Sequence, residues 1–177
     1  LHLMARLFMD SLDDPFAFAA EALKRDGLGR TVQAIVVDFH GEATSEKMAM
    51  GHYLDGRVSL VVGTHTHVPT ADAQILPGGT AYQTDLGMCG DYDSVIGMKK
   101  ALSIERFVRK MPTQRLEAAD GPATLCATFA EIDDSSGLAK RVAAVRLDGR
   151  LSESVPELVP ESMPESMPES MPESGGG

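Results

Sequence analysis

The sequence contains no tryptophan, only two cysteines in 177 residues, and no apolar run long enough to cross a bilayer. Cys89 and Cys126 stand in no spacing motif, which argues against a disulfide framework, and we expect both to be small buried side chains. The apolar residues 1–9 are interrupted by His2 and Arg6, and no small-residue cleavage site follows, as a signal peptide would require. We therefore expect a cytoplasmic protein with no membrane partner.

Basic residues are scarce, with 16 lysines and arginines against 26 acidic residues and a net charge of -10. Six of the acidic residues lie from Leu151 onward, where the chain repeats Pro-Glu-Ser-Met and ends in three glycines. Proline at every fourth position blocks helix and sheet hydrogen bonding, so we expect a folded domain at 1–150 and a disordered acidic tail at 151–177. The body shows no basic stripe with interleaved aromatic residues, which argues against a dedicated nucleic-acid surface.

Hydrophobic periodicity and turn residues predict an α/β fold. Three helices are expected, at 16–24, at about 44–54 with Thr44 or Ser45 as the cap, and at 103–110. The expected strands span 31–39, 58–62, 73–76, 80–84, 124–132 and 141–147. The first two strands and the helix between them form a strand-helix-strand unit, which places both strand ends at one edge of a parallel pair. The last two strands are expected to pair as a hairpin, and so are 73–76 and 80–84.

Three histidines follow the first two of these strands. His40 comes directly after the run 35–39, and His65 and His67 come after 58–63. Since side chains two apart on an extended segment point to the same side, and neighbouring strand ends converge on one crevice, the three rings are predicted to meet at a metal ion. From spacing alone, three histidines and an open position indicate a mononuclear zinc hydrolase.

Other histidine motifs do not fit the chain. The zinc deaminase signature needs Pro-Cys-x-x-Cys after a segment such as His40-Gly41-Glu42, and neither cysteine lies in that context. The His-Glu-x-x-His motif of zincin proteases is absent. His52 falls inside a predicted helix, so we expect a surface or packing role for it. The glycine-rich loop 87–97 lacks the Gly-Lys-Ser/Thr ending of a phosphate-binding loop, and we interpret it as a wall of the cleft.

A longer pattern surrounds the histidines. It consists of VDFHGEATSEK at 37–47, YLDGRVS at 53–59 and VGTHTHVPTAD at 62–72, followed by ILP, GTAY, TDLGM and YDSVIG between 75 and 97, with LDDPF upstream at 12–16. This pattern resembles the YmdB-like family of calcineurin-like metallophosphoesterases over residues 1 to about 147.

The resemblance implies a four-layer α-β-β-α sandwich, two sheets between helices, with two metal ions at the sheet edges. Iron or manganese are the ions implied, with zinc as a further possibility. It implies that His40 and His65 bind one ion and His67 the other. The implied activity is the hydrolysis of phosphodiesters such as 2',3'-cyclic nucleotides, in which a metal-bridging hydroxide attacks phosphorus in line.

Four carboxylates near these histidines are candidate supporting residues. Asp38 and Glu42 lie on the same side of an extended strand as His40, and we expect them to orient ligands or to start the next helix. Asp85 and Asp91 are interpreted either as pocket residues or as turn formers. None of the four is predicted to bind metal directly.

The family's N-terminal half supplies an aspartate ligand, a bridging carboxylate, an asparagine ligand and the histidine that protonates the leaving group. The chain begins at Leu1 inside the middle of the family pattern, so we expect this half to be absent and the active site to be incomplete. The apolar surface left uncovered predicts association between chains. Three hypotheses follow: a dinuclear phosphodiesterase that needs the missing half, a mononuclear metal-binding remnant, and a noncatalytic fragment whose acidic tail recruits a partner.

Overall fold

The computed structural model describes residues 1–111 and 114–157 of the chain. The helices within them are α1 (Pro15–Arg25), α2 (Thr44–Leu54) and α3 (Lys100–Arg109). The strands are β1 (His2–Met4), β2 (Val36–His40), β3 (Leu60–Thr64), β4 (Gln74–Ile75), β5 (Ala81–Gln83), β6 (Gly90–Asp91), β7 (Ala123–Ile132) and β8 (Ala139–Leu147). The α/β class expected from the sequence is confirmed.

The strands form two sheets. The larger has the order β1-β2-β3-β5-β4, in which β1, β2, β3 and β5 are parallel and only β4 is antiparallel to its neighbour. The smaller has the order β6-β7-β8 and is antiparallel. In the larger sheet α1 connects β1 to β2 and α2 connects β2 to β3, so these parallel strands all end at the same edge.

The two helices and the smaller sheet cover opposite faces of the larger sheet. On one face, Ala19 of α1 and Met50 of α2 pack in a single core with Val37 and Val61. On the other face, Leu60, Val62 and Ala81 pack against a second set of side chains. That set consists of Leu86, Ala130, Ala139 and Val142. β3 is thus buried on both sides, which explains why its sequence is a continuous apolar run without alternation.

These contacts establish three layers. They are the helices α1 and α2, the larger sheet, which is mainly parallel and is called the parallel sheet below, and the smaller antiparallel sheet. Each fully buried aliphatic side chain in them stabilises the fold by roughly 1.5–3 kcal/mol. The fourth layer of the sandwich implied by the family resemblance is not established by the packing of the described residues.

The strands that carry the histidines start later than the sequence predicts. β2 begins at Val36 because the preceding residues close a turn, in which the Gly29 amide donates to the Val32 carbonyl at 2.9 Å and the Thr31 amide to the Gly27 carbonyl at 3.0 Å. β3 runs from Leu60 to Thr64, two residues beyond the predicted end. It therefore stops immediately before His65.

Two further expectations are corrected, and His2 falls in a strand that the sequence did not indicate. Ala43, not Thr44 or Ser45, is the N-cap of α2, because the Ala43 carbonyl already accepts the Glu46 and Lys47 amides. His2 lies in β1, opposite Asp38 of β2, in a strand too short to leave a periodic pattern. Cys89 is exposed on the loop after β5, whereas Cys126 is buried as expected, and both thiols are free.

The two predicted hairpins are confirmed. β4 and β5 pair antiparallel, although each is shorter than the sequence suggests. β7 and β8 pair over nearly their whole length, from Leu125 opposite Leu147 to Ile132 opposite Ala139. The predicted third helix is present as α3, and it begins three residues earlier than expected.

The end of the described chain continues along the smaller sheet. Ser154 and Arg146 of β8 exchange two backbone hydrogen bonds, of 2.8 and 3.0 Å. Residues 158–177, which carry the Pro-Glu-Ser-Met repeats, lie outside the described residues, so the division into a body and a disordered tail stays a prediction. In the part of the chain that the structure describes, none of the helices is both long and apolar enough to span a membrane.

Candidate metal centre

The carboxyl ends of β2 and β3 bring two of the three predicted histidines together. His40 is the last residue of β2 and stands opposite Thr64, the last residue of β3. The Gly41 amide donates to the Thr64 carbonyl at 3.1 Å and keeps the two chains paired one residue further. His65 follows directly, so its ring reaches His40 as the strand-helix-strand arrangement predicts.

The two rings face each other through one nitrogen each. Nε2 of His40 and Nδ1 of His65 are 3.3 Å apart, and the ring planes cross at 75°. Two imidazole nitrogens that bind one tetrahedral ion at about 2.0–2.1 Å also lie roughly 3.3 Å apart. The spacing of these two nitrogens therefore fits a shared ion.

Hydrogen bonds on the far side of His40 determine which of its nitrogens carries the proton. The Thr64 hydroxyl donates to Oδ1 of Asp38 at 3.0 Å, so its oxygen can only accept from Nδ1 of His40, which lies 3.0 Å away. Asp38 is held in turn by Nδ1 of His2 at 2.8 Å. Nε2 of neutral His40 is thereby left with a lone pair that points at His65.

His65 is oriented in the same way by a carboxylate. Its Nε2 donates to Oε2 of Glu42 at 2.7 Å, which leaves a lone pair on the Nδ1 that faces His40. Two lone pairs 3.3 Å apart repel one another unless a cation lies between them, either a proton on one ring or a metal ion bound to both. Burial and the neighbouring His65 hold the pKa of His40 below its usual value, which disfavours the proton on that ring.

His67 lies beyond this pair. Its Nδ1 donates to the Ile96 carbonyl at 3.0 Å, and its own carbonyl accepts from the Met88 amide at 3.2 Å and from the Tyr92 hydroxyl at 3.1 Å. The ring is exposed, and its Nε2 is the nitrogen left to bind a ligand. Across residues 1–111 and 114–157, no group of three or more histidine, cysteine, aspartate or glutamate side chains is arranged to hold a metal ion.

The segment that carries both histidines has an unusual backbone. His65 has a φ of 150° and His67 a φ of 64°, values that residues other than glycine rarely adopt. Such conformations cost about 1–3 kcal/mol each and persist only where the surrounding structure imposes them. They are concentrated at functional sites, which agrees with the position of this loop.

Asp85 lies beneath the same loop and is fully buried. Its Oδ2 accepts the Thr66 amide at 2.9 Å and the ammonium group of Lys47 at 3.0 Å, while its Oδ1 accepts the Gly87 amide at 3.0 Å. Burial by itself raises the pKa of Asp85, but these hydrogen bonds outweigh it and hold that pKa below its usual value. Asp85 is therefore an ionised anchor of the loop and does not face the ring nitrogens directly.

Asp91 has the turn-forming contacts that the sequence suggested as one interpretation. Its carboxylate accepts the amides of Asp93 at 2.7 Å and Gly121 at 3.2 Å. His52 is exposed on α2, as expected for a surface histidine.

Comparison with known proteins identifies the family of the chain. The model of the family described as "YmdB-like protein" matches residues 1–145. The chain belongs to the YmdB-like protein family. The resemblance seen in the sequence is thus confirmed over nearly the same range of residues.

Two named relatives are similar to the chain over most of its length. It is 47% identical over 152 residues to a 2',3'-cyclic-nucleotide 2'-phosphodiesterase of Bacillus subtilis, an alignment that covers 84% of this chain and 55% of the relative. It is 41% identical over 128 residues to a putative phosphatase/phosphodiesterase of Mycoplasma pneumoniae, covering 72% of this chain and 45% of that protein. The chain therefore spans about half the length of these relatives.

Two solved structures share the fold. A hypothetical protein from Thermus thermophilus superimposes with a TM-score of 0.76 at 43% identity, covering 85% of this chain and 57% of the other. A phosphatase from Mycoplasma pneumoniae superimposes with a TM-score of 0.73 at 35% identity, covering 83% and 52%. At these identities the likeness concerns the same family and not the fold alone.

Sequence reasoning did not find three groups that shape the site. Thr64 orients His40, the Ile96 carbonyl orients His67, and Lys47 pairs with Asp85. A threonine at the end of a strand and a backbone carbonyl carry no distinctive pattern. The signal that could have revealed Lys47 is its position in a helix face between apolar residues, where an unpaired ammonium group is too costly to bury.

Proposed function

We propose that the chain carries the histidine ligands of a dinuclear metal-dependent phosphodiesterase that acts on small phosphodiesters such as 2',3'-cyclic nucleotides. The observation that carries the proposal is the pair of facing nitrogens on His40 and His65, each left with a lone pair by a hydrogen bond on the far side of its ring. The family membership and the name of the Bacillus subtilis relative support the substrate class.

The free nitrogens indicate which atoms would bind metal, and the division of the histidines between two ions follows the family resemblance. His40 and His65 bind one ion, and His67, whose ring is anchored to Ile96, binds the other through Nε2. Asp38 and Glu42 stabilise the partial positive charge that each ring gains as a ligand, Asp38 through Thr64 and Glu42 by direct contact. Asp85 supports the loop between them.

When bound, two divalent or mixed-valence ions would neutralise charge on the phosphoryl oxygens and acidify a water molecule. We propose iron or manganese as these ions, with zinc also compatible with imidazole ligands. The residues of this chain hold and orient the ligand nitrogens. We assign none of them to protonate the leaving group.

Metal analysis of the whole chain tests the ligand assignment. The chain is loaded with Mn²⁺ or Fe²⁺, desalted and measured by elemental mass spectrometry, in parallel with the variant His65→Ala/His67→Ala. The double variant is expected to lose the bound metal. His52→Ala is the matched control, because it removes an exposed histidine from α2 and leaves the site intact. Unchanged metal content in the double variant would contradict the ligand assignment.

The stoichiometry separates the three functional hypotheses. Two ions per chain with hydrolysis of bis-p-nitrophenyl phosphate or 2',3'-cyclic AMP support the dinuclear phosphodiesterase. One ion without turnover supports a mononuclear metal-binding remnant. Absence of bound metal in the wild-type chain supports a noncatalytic fragment that acts through its acidic tail.

Association between chains is also part of the proposal. Large apolar side chains are exposed at several places, including Phe8 at 88%, Phe107 at 74% and Leu125 at 47%. Phe107 lies on one face of α3 with the exposed side chains of Ile104 and Val108, and an exposed apolar face of this kind favours interaction with other protein surfaces. Size-exclusion chromatography is expected to show an oligomer, and a sharp monomer peak with cooperative melting would contradict this.

A further inference from the structure

The ion pair between Lys47 and Asp85 lies beneath the loop that carries His65 and His67. Both side chains are about 1% exposed, and Nζ of Lys47 is 3.0 Å from Oδ2 of Asp85. Removing two charges from water is expensive, and replacing such a pair by apolar residues is often neutral or stabilising. The pair therefore calls for an explanation other than stability.

The contacts of Asp85 connect this pair to the metal-binding loop. The same Oδ2 that accepts from Lys47 also accepts the amide of Thr66, the residue between the two histidines, at 2.9 Å. Oδ1 accepts the Gly87 amide at 3.0 Å, and the Asp85 carbonyl accepts the Thr70 amide at 3.0 Å. The carboxylate thus holds the middle of the loop and the segment that follows β5 at the same time.

Lys47 reaches Asp85 by passing under the end of β3. A Cβ on Gly63 would lie 2.6 Å from Cδ of Lys47 and 1.8 Å from the Thr84 carbonyl oxygen, so only glycine leaves room for the lysine stem there. The lysine comes from α2 and the aspartate from the segment that follows β5, and they meet beneath His65 and His67, whose φ angles are 150° and 64°.

We propose that Lys47 and Asp85 are positioning residues that hold the His65-Thr66-His67 segment in its metal-binding conformation and thereby determine its metal affinity. The part about affinity rests on the proposed function, whereas the part about conformation does not. The Asp85 carboxylate accepts from Lys47, Thr66 and Gly87. It holds the Thr66 amide only while Lys47 balances its buried charge, so both residues of the ion pair are required.

The test uses the double variant Lys47→Met/Asp85→Asn in the whole chain. It removes both charges together, so no unpaired charge stays buried. The Thr66 and Gly87 amides donate to different oxygens of Asp85, and asparagine replaces one of these oxygens by an NH2 group, so it can accept from only one of the two amides. Thr80→Val is the control, because Thr80 is equally buried and bonds the Gly56 amide and the Val58 carbonyl away from the site.

Two readouts separate the proposal from a merely structural role. In the metal-free protein, hydrogen exchange of the segment 63–70 is expected to accelerate at least tenfold in the double variant and not in Thr80→Val. With Co²⁺ as the probe, the dissociation constant of the double variant is expected to rise by roughly 10- to 100-fold, with an altered visible spectrum. The control is expected to melt at a lower temperature while it keeps the wild-type Co²⁺ affinity.

Unchanged exchange and unchanged Co²⁺ affinity in a folded double variant would overturn the proposal. If the wild-type chain binds no Co²⁺, the proposed function fails, and the exchange result alone decides the role of the pair. Should the double variant not fold, the wild-type protein still gives an answer. Its Thr66 amide is expected to exchange at least 100-fold more slowly than the Val68 amide, which has only a 3.3 Å contact to a hydroxyl, and equal rates would refute the anchoring.

Discussion

The two sheets differ in where they bury polar groups. Most of the buried polar side chains belong to the parallel sheet and its connections, namely Glu46, Lys47, Ser59, Thr80, Gln83, Thr84 and Asp85, whereas the antiparallel sheet buries Thr124. The parallel sheet also carries His40, His65 and His67 at or just beyond its strand ends. Buried polar groups cost free energy unless they are hydrogen-bonded, so their concentration in the parallel sheet is consistent with the candidate site lying there. The antiparallel sheet packs on the opposite face of the parallel sheet from the helices.

Replacing one glycine in each sheet by alanine is expected to give the largest difference in stability between the two sheets. Gly63→Ala places a methyl group 1.8 Å from the Thr84 carbonyl oxygen, so we expect a loss of about 3 kcal/mol or more in the free energy of unfolding. In Gly90→Ala, on β6, the nearest atom is Sδ of Met88 at 3.7 Å, and the change is expected to stay within about 0.5 kcal/mol. Urea denaturation measures both, and similar losses would remove the contrast between the sheets.

The next difference, in metal affinity, is expected between one aspartate in the parallel sheet and one in the turn of the antiparallel sheet. Asp38→Asn weakens the acceptor that fixes Thr64 and His40, so the metal dissociation constant is expected to rise by roughly 10- to 100-fold, or about 1.4–2.7 kcal/mol. Asp133→Asn, in the turn between β7 and β8, likewise weakens an acceptor, here of the Ser135 and Ser136 amides, but is expected to leave metal affinity unchanged. Titration with Mn²⁺ followed by electron paramagnetic resonance measures both constants. Equal effects would show that the aspartates act only through overall stability.

Stability at alkaline pH tests the burial of Tyr82. Burial raises the pKa of Tyr82, on β5, to about 12. The protonated phenol is therefore favoured in the folded state, so its contribution is complete below pH about 10 and is lost as the pH rises from about 10 to about 12. At pH about 11 the wild type is expected to lose about 1.4 kcal/mol that Tyr82→Phe does not lose. Urea denaturation at pH about 9 and about 11 compares the two, and parallel curves would contradict the expectation.

The smallest effect is expected at the rim of the site. Glu42→Gln keeps an acceptor for Nε2 of His65 and removes a charge that is largely exposed, so metal affinity should fall by about threefold or less. Glu131→Gln on β7 removes a comparable exposed charge far along the chain and is expected to leave metal affinity unchanged. Isothermal titration with Mn²⁺ resolves this difference. A tenfold or larger loss in Glu42→Gln would mean that Glu42 itself binds the ion.

Much of the fold was accessible from the sequence because apolar patterns and turn residues are local. The strand-helix-strand unit, both hairpins and the meeting of His40 with His65 follow from such patterns. β1 and β6 were missed, since strands of three and two residues have no period to detect. The start of β2 was placed too early. Gly27 and Gly29 mark a turn in the sequence, but only the backbone hydrogen bond from Gly29 to Val32 shows that the turn extends into the expected strand.

The sequence by itself determined the family, the α/β class and the identity of the candidate ligands, because these depend on which residue types occur at which spacing. Only the tertiary structure decided how each ring is turned. His40 depends on Thr64, His65 on Glu42 and His67 on a backbone carbonyl of Ile96, all at least 23 residues away in the chain. Ring orientation is set by hydrogen bonds between distant segments, and such bonds exist only once the strands have paired.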